Sequence, residues 1–295
     1  MSDKKMRIAL FGNVYKREYS SVVLDFFSLA VEYGISIAVQ KAYYDFLVNE
    51  LGYALPSCEV IGDERLSADM VVCMGGDGTF LDVAGRVGDK QIPILGINTG
   101  RLGFLASFSP EDIKEVVNVI CTGNYSVHNH SVLQLSCDDM DLQGYPFALN
   151  EIAILKHDIA SMISISTHID GEYLTTYQAD GLIVGTPTGS TAYSLSVGGP
   201  IIVPQSDTIS LTPVAPHSLN VRPMVLCDNS EIEICVESRS HNFLVSIDGR
   251  SCSYPDRINL RIKRAPYVVK VVTRKGQGFF STLRRKMMWG ADNRE

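Results

Sequence analysis

The stretch Ala68-Asp69-Met70-Val71-Val72-Cys73-Met74-Gly75-Gly76-Asp77-Gly78-Thr79-Phe80 decides how the rest of the chain is read. Its apolar run, Met70 to Met74, has the length of a buried strand and stops abruptly in Gly-Gly-Asp-Gly-Thr. Phe80 to Arg86 then suits the start of a helix. Strand, glycine turn and helix in that order hold phosphate at the carboxyl edge of a parallel sheet. Residues without a Cβ let backbone N–H groups close on an anion. Asp77 puts a carboxylate in the middle of that turn. A carboxylate repels phosphate unless it carries a metal or takes a proton from a nucleophile, so it points to chemistry. The plain alternative is an Asp-Gly turn that joins a strand to a helix.

On either side the pattern alternates. Arg7 to Gly12 reads as a buried strand, Ser20 to Tyr33 as a helix stopped by Gly34, Ile35 to Val39 as a strand and Lys41 to Leu51 as a helix. Ile92 to Ile97 is a further strand, running into Asn98-Thr99-Gly100-Arg101-Leu102-Gly103-Phe104-Leu105. Strands and helices at this spacing predict an α/β domain with a parallel sheet, and both glycine-rich turns then fall on one edge of it. Ser109-Pro110-Glu111-Asp112 reads as a capped helix start, and the helix ends at Thr122-Gly123.

Beyond that helix the texture changes to short, often alternating runs. They are Tyr125 to Cys137, Tyr145 to Leu155, Met162 to Ile169, Glu172 to Gln178, Gly181 to Val184, Val225 to Leu226, Glu231 to Val236, Phe243 to Ile247, Arg257 to Ile262 and Tyr267 to Val272. These predict an all-β, sandwich-like second domain. The expected division is 1–108, 109–278 and a tail, 279–295.

With a formal net charge of −7 and a pI near 5.4, the chain has no bulk attraction for nucleic acid or an anionic membrane. Basic clusters at Arg257–Arg264 and Arg274–Lys286 read as a solvated strand edge and tail. The seven cysteines are odd in number, scattered and without a Cys-x-x-Cys, the usage of reduced thiols in the cytoplasm. No apolar run reaches the length of a signal core or a membrane span.

Two stretches of the β region carry polar groups that packing does not need. One is Asn150-Glu151, set between apolar runs. The other is Asp180 through Pro200, containing Gly185-Thr186-Pro187-Thr188-Gly189-Ser190-Thr191-Ala192-Tyr193-Ser194-Leu195-Ser196. Hydroxyls, an amide and carboxylates suit ribose and base edges, and Tyr193 offers a stacking face. Ser190 or Thr191 is also a candidate helix N-cap. His157 and His217 read as structural, His217 being the better functional candidate.

Together Gly75–Thr79, Asn98–Phe104, Asn150-Glu151 and Asp180–Pro200 resemble the NAD kinase family, over Arg7 to Trp289 of the chain. The glycine turn alone is shared with lipid kinases and phosphofructokinases; the Asp180–Ser196 segment is what makes the resemblance specific. It implies an α/β domain, a β domain, and a tail near Phe279–Trp289 that returns to the first. It also implies a homo-oligomer, at least a dimer and commonly a tetramer, whose sites neighbouring subunits complete. The implied reaction moves the γ-phosphoryl of ATP to the 2′-hydroxyl of the adenosine ribose of NAD, giving NADP and ADP.

By position, Asp77 matches the family's proton acceptor. Gly75, Gly76, Gly78 and Thr79 form the phosphate turn, with Mg²⁺ or another divalent metal cation neutralising the triphosphate. Asn150 and Glu151 would hold the adenosine ribose, and Asp180 the nicotinamide end. Thr191, Ala192, Tyr193, Ser194, Leu195 and Ser196 would line the dinucleotide pocket. Ser161, Gln178 and Arg250 fall where further NAD contacts are placed. There is no Gly-x-x-x-x-Gly-Lys-Ser/Thr loop, so the triphosphate relies on the turn, the metal and basic residues; Arg101 is a candidate there or a plain surface residue. A lipid kinase and a silent NAD(P)-binding sensor are the competing readings, disfavoured by the Thr186–Ser196 segment and by the presence of Asp77, Asn150 and Glu151 respectively.

Overall fold

A computed structural model of the chain describes residues 5–15, 21–62, 66–100, 103–158 and 161–290. The chain forms two compact units, Met1–Asn129 together with Val269–Glu295, and His130–Val268.

The first unit carries β1 (Arg7–Gly12), α1 (Val22–Glu32), β2 (Ser36–Gln40) and α2 (Lys41–Asp45), which runs on as a π-helical turn over Phe46–Glu50. Then come β3 (Glu59–Ile61), β4 (Met70–Met74), α3 (Asp77–Val87), β5 (Ile94–Ile97) and α4 (Ile113–Thr122). The strands pair in the order β5–β4–β1–β2–β3, all parallel. β1, β4 and β5 are buried on both faces, which is why they read as unbroken apolar runs. Phe26, Phe27 and Ala30 of α1, with Val116, Val117 and Ile120 of α4, close a core against that sheet. Ser109 caps α4's approach as expected: it forms a capping box with Asp112, the first turn being 3₁₀ over Pro110–Asp112.

The strand β6 (Tyr125–Cys137) starts in the first unit and ends in the second. There follow β7 (Phe147–Ala148), β8 (Glu151–Lys156), β9 (Ile163–Ile169), β10 (Glu172–Ala179), β11 (Gly181–Gly185), the single turn α5 (Tyr193–Ser196), β12 (Thr208–Val214) and β13 (Met224–Cys227). β14 (Ile232–Glu237), β15 (Asn242–Ile247), β16 (Arg250–Pro255) and β17 (Asn259–Arg274) complete the unit. One antiparallel sheet has the order β13–β12–β11–β8–β15–β16; the other runs β10–β9–β14–β17. Ile152, Ile154, Leu182 and Val245 of the first share a core with Ile163, Ile165, Ile234 and Leu260 of the second, so the unit is a sandwich.

The sequence predicted two strands where β17 is one of 16 residues, because the polar Lys263-Arg264 interrupts the apolar pattern while the backbone stays extended. Near its end, Val271 and Val272 pair in parallel with β5 and bring the chain back to the first unit, where α6 (Phe279–Met287) follows. The divisions thus fall at 129/130 and 268/269 rather than 108/109 and 278/279, since α4 packs with the first core and the long strands carry the crossings. Three strands had no signal. β3 is short; β16 is a polar edge; β12 contains Pro213, which is tolerated because pairing with β13 stops at Leu211.

Candidate active site

In the first unit, β4 hands over to the glycine turn with the Gly75 amide donating to the Ile97 carbonyl (2.9 Å), which ties the end of β4 to that of β5. Both glycine-rich turns therefore lie on one edge of the sheet. Gly76 is the N-cap of α3, and Asp77 is the first helical residue rather than the middle of a loop. The first helical bond, Phe80 N–H to Gly76 O (3.0 Å), starts the helix earlier than the apolar spacing suggested. A carboxylate in a helix's first turn is favoured by the orphan amides there. A Cβ on Gly75 would run into the Thr79 side chain, whose Oγ1 accepts from Asn13 Nδ2 (3.3 Å).

The carboxylate of Asp77 is held from the second glycine-rich turn. Phe104 N–H donates to Oδ2 (2.7 Å) and Leu105 N–H to Oδ1 (3.2 Å). A Cβ on Gly103 would collide with that carboxylate, which explains the glycine. Lys286 of α6 lies 3.8 Å from Asp77 Oδ2 and 3.8 Å from the centroid of the Phe104 ring. Burial pulls the Lys286 ammonium below its ordinary value, against the opposing pull of Asp77. Nothing in the residue pattern pointed to this lysine, because it sits in a basic tail that reads as solvated. A cavity of about 500 Å³ opens beside Gly78 and Thr79, lined also by Gly12, Asn13 and Gln40. Arg101 lies outside the described residues.

In the second unit, Glu151 opens β8 and is buried (9 % exposed). One carboxylate oxygen is reached by the Tyr193 amide, and Oε2 is buried with no hydrogen-bond partner. Burial first, then the nearby Asp248 charge, push the Glu151 carboxyl up to about 7. Thr186 ties this turn to the hydroxyl-rich segment: its N–H donates to Asn150 O (2.9 Å) and its Oγ1 to Leu149 O (2.6 Å). A Cβ on Gly189 would strike the Asn150 backbone, so the close approach of the two segments requires glycine. Ser194 bonds Thr212 through their hydroxyls (2.8 Å), and Tyr193 is exposed.

The expected cap on this segment is corrected. The 3₁₀ turn Thr188–Thr191 has Pro187 at its N-cap, and α5 has Ala192. Ser190 instead donates to Pro187 O (2.6 Å) and accepts from Ile202 N–H (3.0 Å), spending its hydroxyl on the loop. Buried His130, unremarked in the sequence, bonds Thr188 Oγ1 (2.8 Å).

Asn150, Glu151 and the 186–196 segment are thus brought together. Asp180 pairs with Lys156 (2.7 Å) one strand away. Gln178 bonds Ser164 (2.8 Å) and lines, with Ser161, a separate cavity of about 430 Å³ that none of the Asn150 cluster reaches. Arg250 donates to Ile247 O and Phe147 O and lies over the Tyr145 ring, bracing its hairpin. The His217 amide donates to Gln178 O (2.8 Å).

Two family models cover most of the chain: the ATP-NAD kinase N-terminal domain over residues 8–125 and the ATP-NAD kinase C-terminal domain over 149–273. The chain belongs to the NAD kinase family. An NAD kinase of Bacteroides fragilis is 58% identical over 98% of this chain and 100% of its own length. One from Porphyromonas gingivalis is 41% identical, covering 97% of this chain and 98% of its own. Among solved structures, an NAD kinase from Archaeoglobus fulgidus in complex with ATP superimposes with a TM-score of 0.69 at 27% identity, over 96% of this chain and 99% of that one. Yeast NADH kinase complexed with NADH shares the fold, with a TM-score of 0.89 over 98% and 89% of the two chains at 23% identity. As a member of the NAD kinase family the chain is a kinase acting on NAD. Among the described residues no helix is long and apolar enough to cross a membrane.

Proposed function

We propose that the chain transfers the γ-phosphoryl group of ATP to the 2′-hydroxyl of the adenosine ribose of NAD, with Asp77 as proton acceptor. The observation that carries this reading is the seating of Asp77: a carboxylate at the start of a helix, fixed by two backbone amides beside a phosphate-type glycine turn. A ribose hydroxyl is a weak nucleophile, and a positioned base raises its reactivity as the phosphoryl group arrives. The other product is ADP. Lys286 offsets the Asp77 charge, so an anionic donor can approach the carboxylate. Gly76, Gly78 and Thr79 supply N–H groups to the phosphates, and the 500 Å³ cavity beside them takes the donor.

Among the described residues no three His, Cys, Asp or Glu side chains converge as a metal site. The divalent cation is therefore assigned to the triphosphate, arriving as Mg²⁺–ATP, the mode in which Mg²⁺ keeps most of its ligands from phosphate and water. Asn150 and Glu151 hold the ribose, the unpartnered Oε2 of Glu151 accepting a sugar hydroxyl. Thr191 to Ser196 line the dinucleotide pocket, with Tyr193 against the adenine. Asp180, Ser161 and Gln178 lie apart from that cluster, which supports assigning them to a neighbouring subunit's site in a homo-oligomer, whereas Arg250 faces Asp248 beside it and stays with the NAD contacts. The cysteines among the described residues are all free thiols, in keeping with a cytoplasmic enzyme.

With Mg²⁺, ATP and NAD, the purified protein forms NADP. Asp77→Asn lowers kcat by about 10³-fold while equilibrium dialysis still finds NAD bound, general-base catalysis being worth roughly 10²–10⁴-fold. Turnover within tenfold of the parent would remove Asp77 from the role.

A further inference from the structure

One polar cluster in the second unit involves a residue that the reaction does not call for directly. Asp248 occupies the first position of the two-residue turn Asp248-Gly249 between β15 and β16, with φ of +48°. Its carboxylate points back at the ribose dipeptide. Oδ2 accepts from Leu149 N–H (2.7 Å), and Oδ1 accepts from Asn150 N–H (2.8 Å) and Glu151 N–H (3.1 Å). In return the Asp248 amide donates to Glu151 O (3.1 Å). Three successive amides thus share one anion, and that anion is largely buried, where water cannot take their place.

We propose that Asp248 is a positioning residue for the kinase reaction, fixing Asn150 and Glu151 from behind so that their side chains meet the acceptor ribose in one geometry. The proposal rests on the reading of Asn150 and Glu151 as the ribose ligands. Left-handed φ at residue 248 suits Asp, Asn and Gly, and of these only Asp brings two acceptor oxygens to three donors. The same carboxylate has an electrostatic effect. Burial raises the Glu151 carboxyl most, the Asp248 charge adds to that rise, and the Tyr193 amide from α5 opposes it. Arg250 is the cation that faces Asp248 in turn. Asp248 therefore both aims Glu151 and delays its ionisation.

The test is steady-state kinetics of the whole enzyme across pH, on Asp248→Asn, Asp248→Gly and Glu151→Gln. Both Asp248 variants keep a side chain, or none, that tolerates the left-handed turn, so either serves if the other folds poorly. The expected result for both is a KM for NAD raised about tenfold or more, with the KM for ATP within about twofold of the parent. The pH at which kcat/KM for NAD climbs also moves down, because Glu151 no longer ionises against a neighbouring negative charge. A KM for NAD unchanged in both Asp248 variants overturns the proposal. A raised KM with an unmoved pH profile reduces Asp248 to a scaffold residue and overturns it equally. Glu151→Gln separates the two levels. If it leaves the KM for NAD unchanged, the ribose reading itself fails; if it raises that KM while the Asp248 variants do not, only the role of Asp248 fails.

Discussion

Asp77 and Glu151 are both carboxylates on the first residue of an element, α3 and β8, yet their surroundings are opposite. Asp77 has an amide on each oxygen and an ammonium 3.8 Å away, and its side chain is 34% exposed. Glu151 is nearly sealed, keeps one oxygen unpartnered and has a second carboxylate, Asp248, behind it. The first group is supplied with donors and cations before any substrate arrives. The second keeps one oxygen without a donor, which a sugar hydroxyl can supply. One environment suits a charge that must stand beside phosphates; the other suits a binding group whose last hydrogen bond comes from the ligand.

The sharpest way to break this contrast is to unseat Asp77 without touching it. Gly103→Ala places a methyl group where the Asp77 carboxylate lies, and that carboxylate is pinned by the next two amides. The expected loss in kcat is about 10²-fold, as for a misplacement of roughly an ångström, with the affinity for NAD little changed in a binding titration. A variant with parental kcat would mean that the seat is not needed for turnover.

The charge balance at Asp77 gives a smaller effect. Lys286→Met leaves the carboxylate uncompensated toward the donor, so the KM for ATP rises about tenfold and that for NAD stays put; Lys286→Arg restores most of the loss. Equal changes in both KM values would point to a general disturbance of α6 instead.

Much of this was legible in the residues, and the failures have a common cause. The strand, turn and helix around Asp77, the parallel sheet and the β-rich second unit follow from apolar periodicity and glycine placement, which are local signals. The Asn150 and 186–196 segments stood out because they carry polar groups where packing needs none. Lys286 and Asp248 did not, since each acts through a partner about a hundred residues or more away in sequence: Lys286 on Asp77, Asp248 on Leu149 to Glu151. An Asp-Gly pair between two strands reads as a hairpin turn and nothing else. Only the register of β15 against β8, Ile247 opposite Ile152, turns its side chain onto the ribose dipeptide.

The smallest effect concerns stability, and its sign distinguishes Glu151 from an ordinary paired carboxylate. A carboxyl raised to about 7 in the folded protein ionises more readily when unfolded. Below the ordinary glutamate value, near 4.5, both states are protonated and the group costs nothing. As pH rises from there to about 7 the unfolded chain loses its proton first, so folding stability falls, and the cost is complete above pH 7. Glu151→Gln removes the charge and keeps the shape. The variant should match the parent near pH 4.5 and exceed it at pH 8 by on the order of 2 kcal/mol, read as the urea midpoint at each pH. A gain of equal size at both pH values would assign the effect to packing rather than to the buried charge. If the gain grows with pH while NAD binding weakens, Glu151 is a residue kept against stability because the ligand needs it.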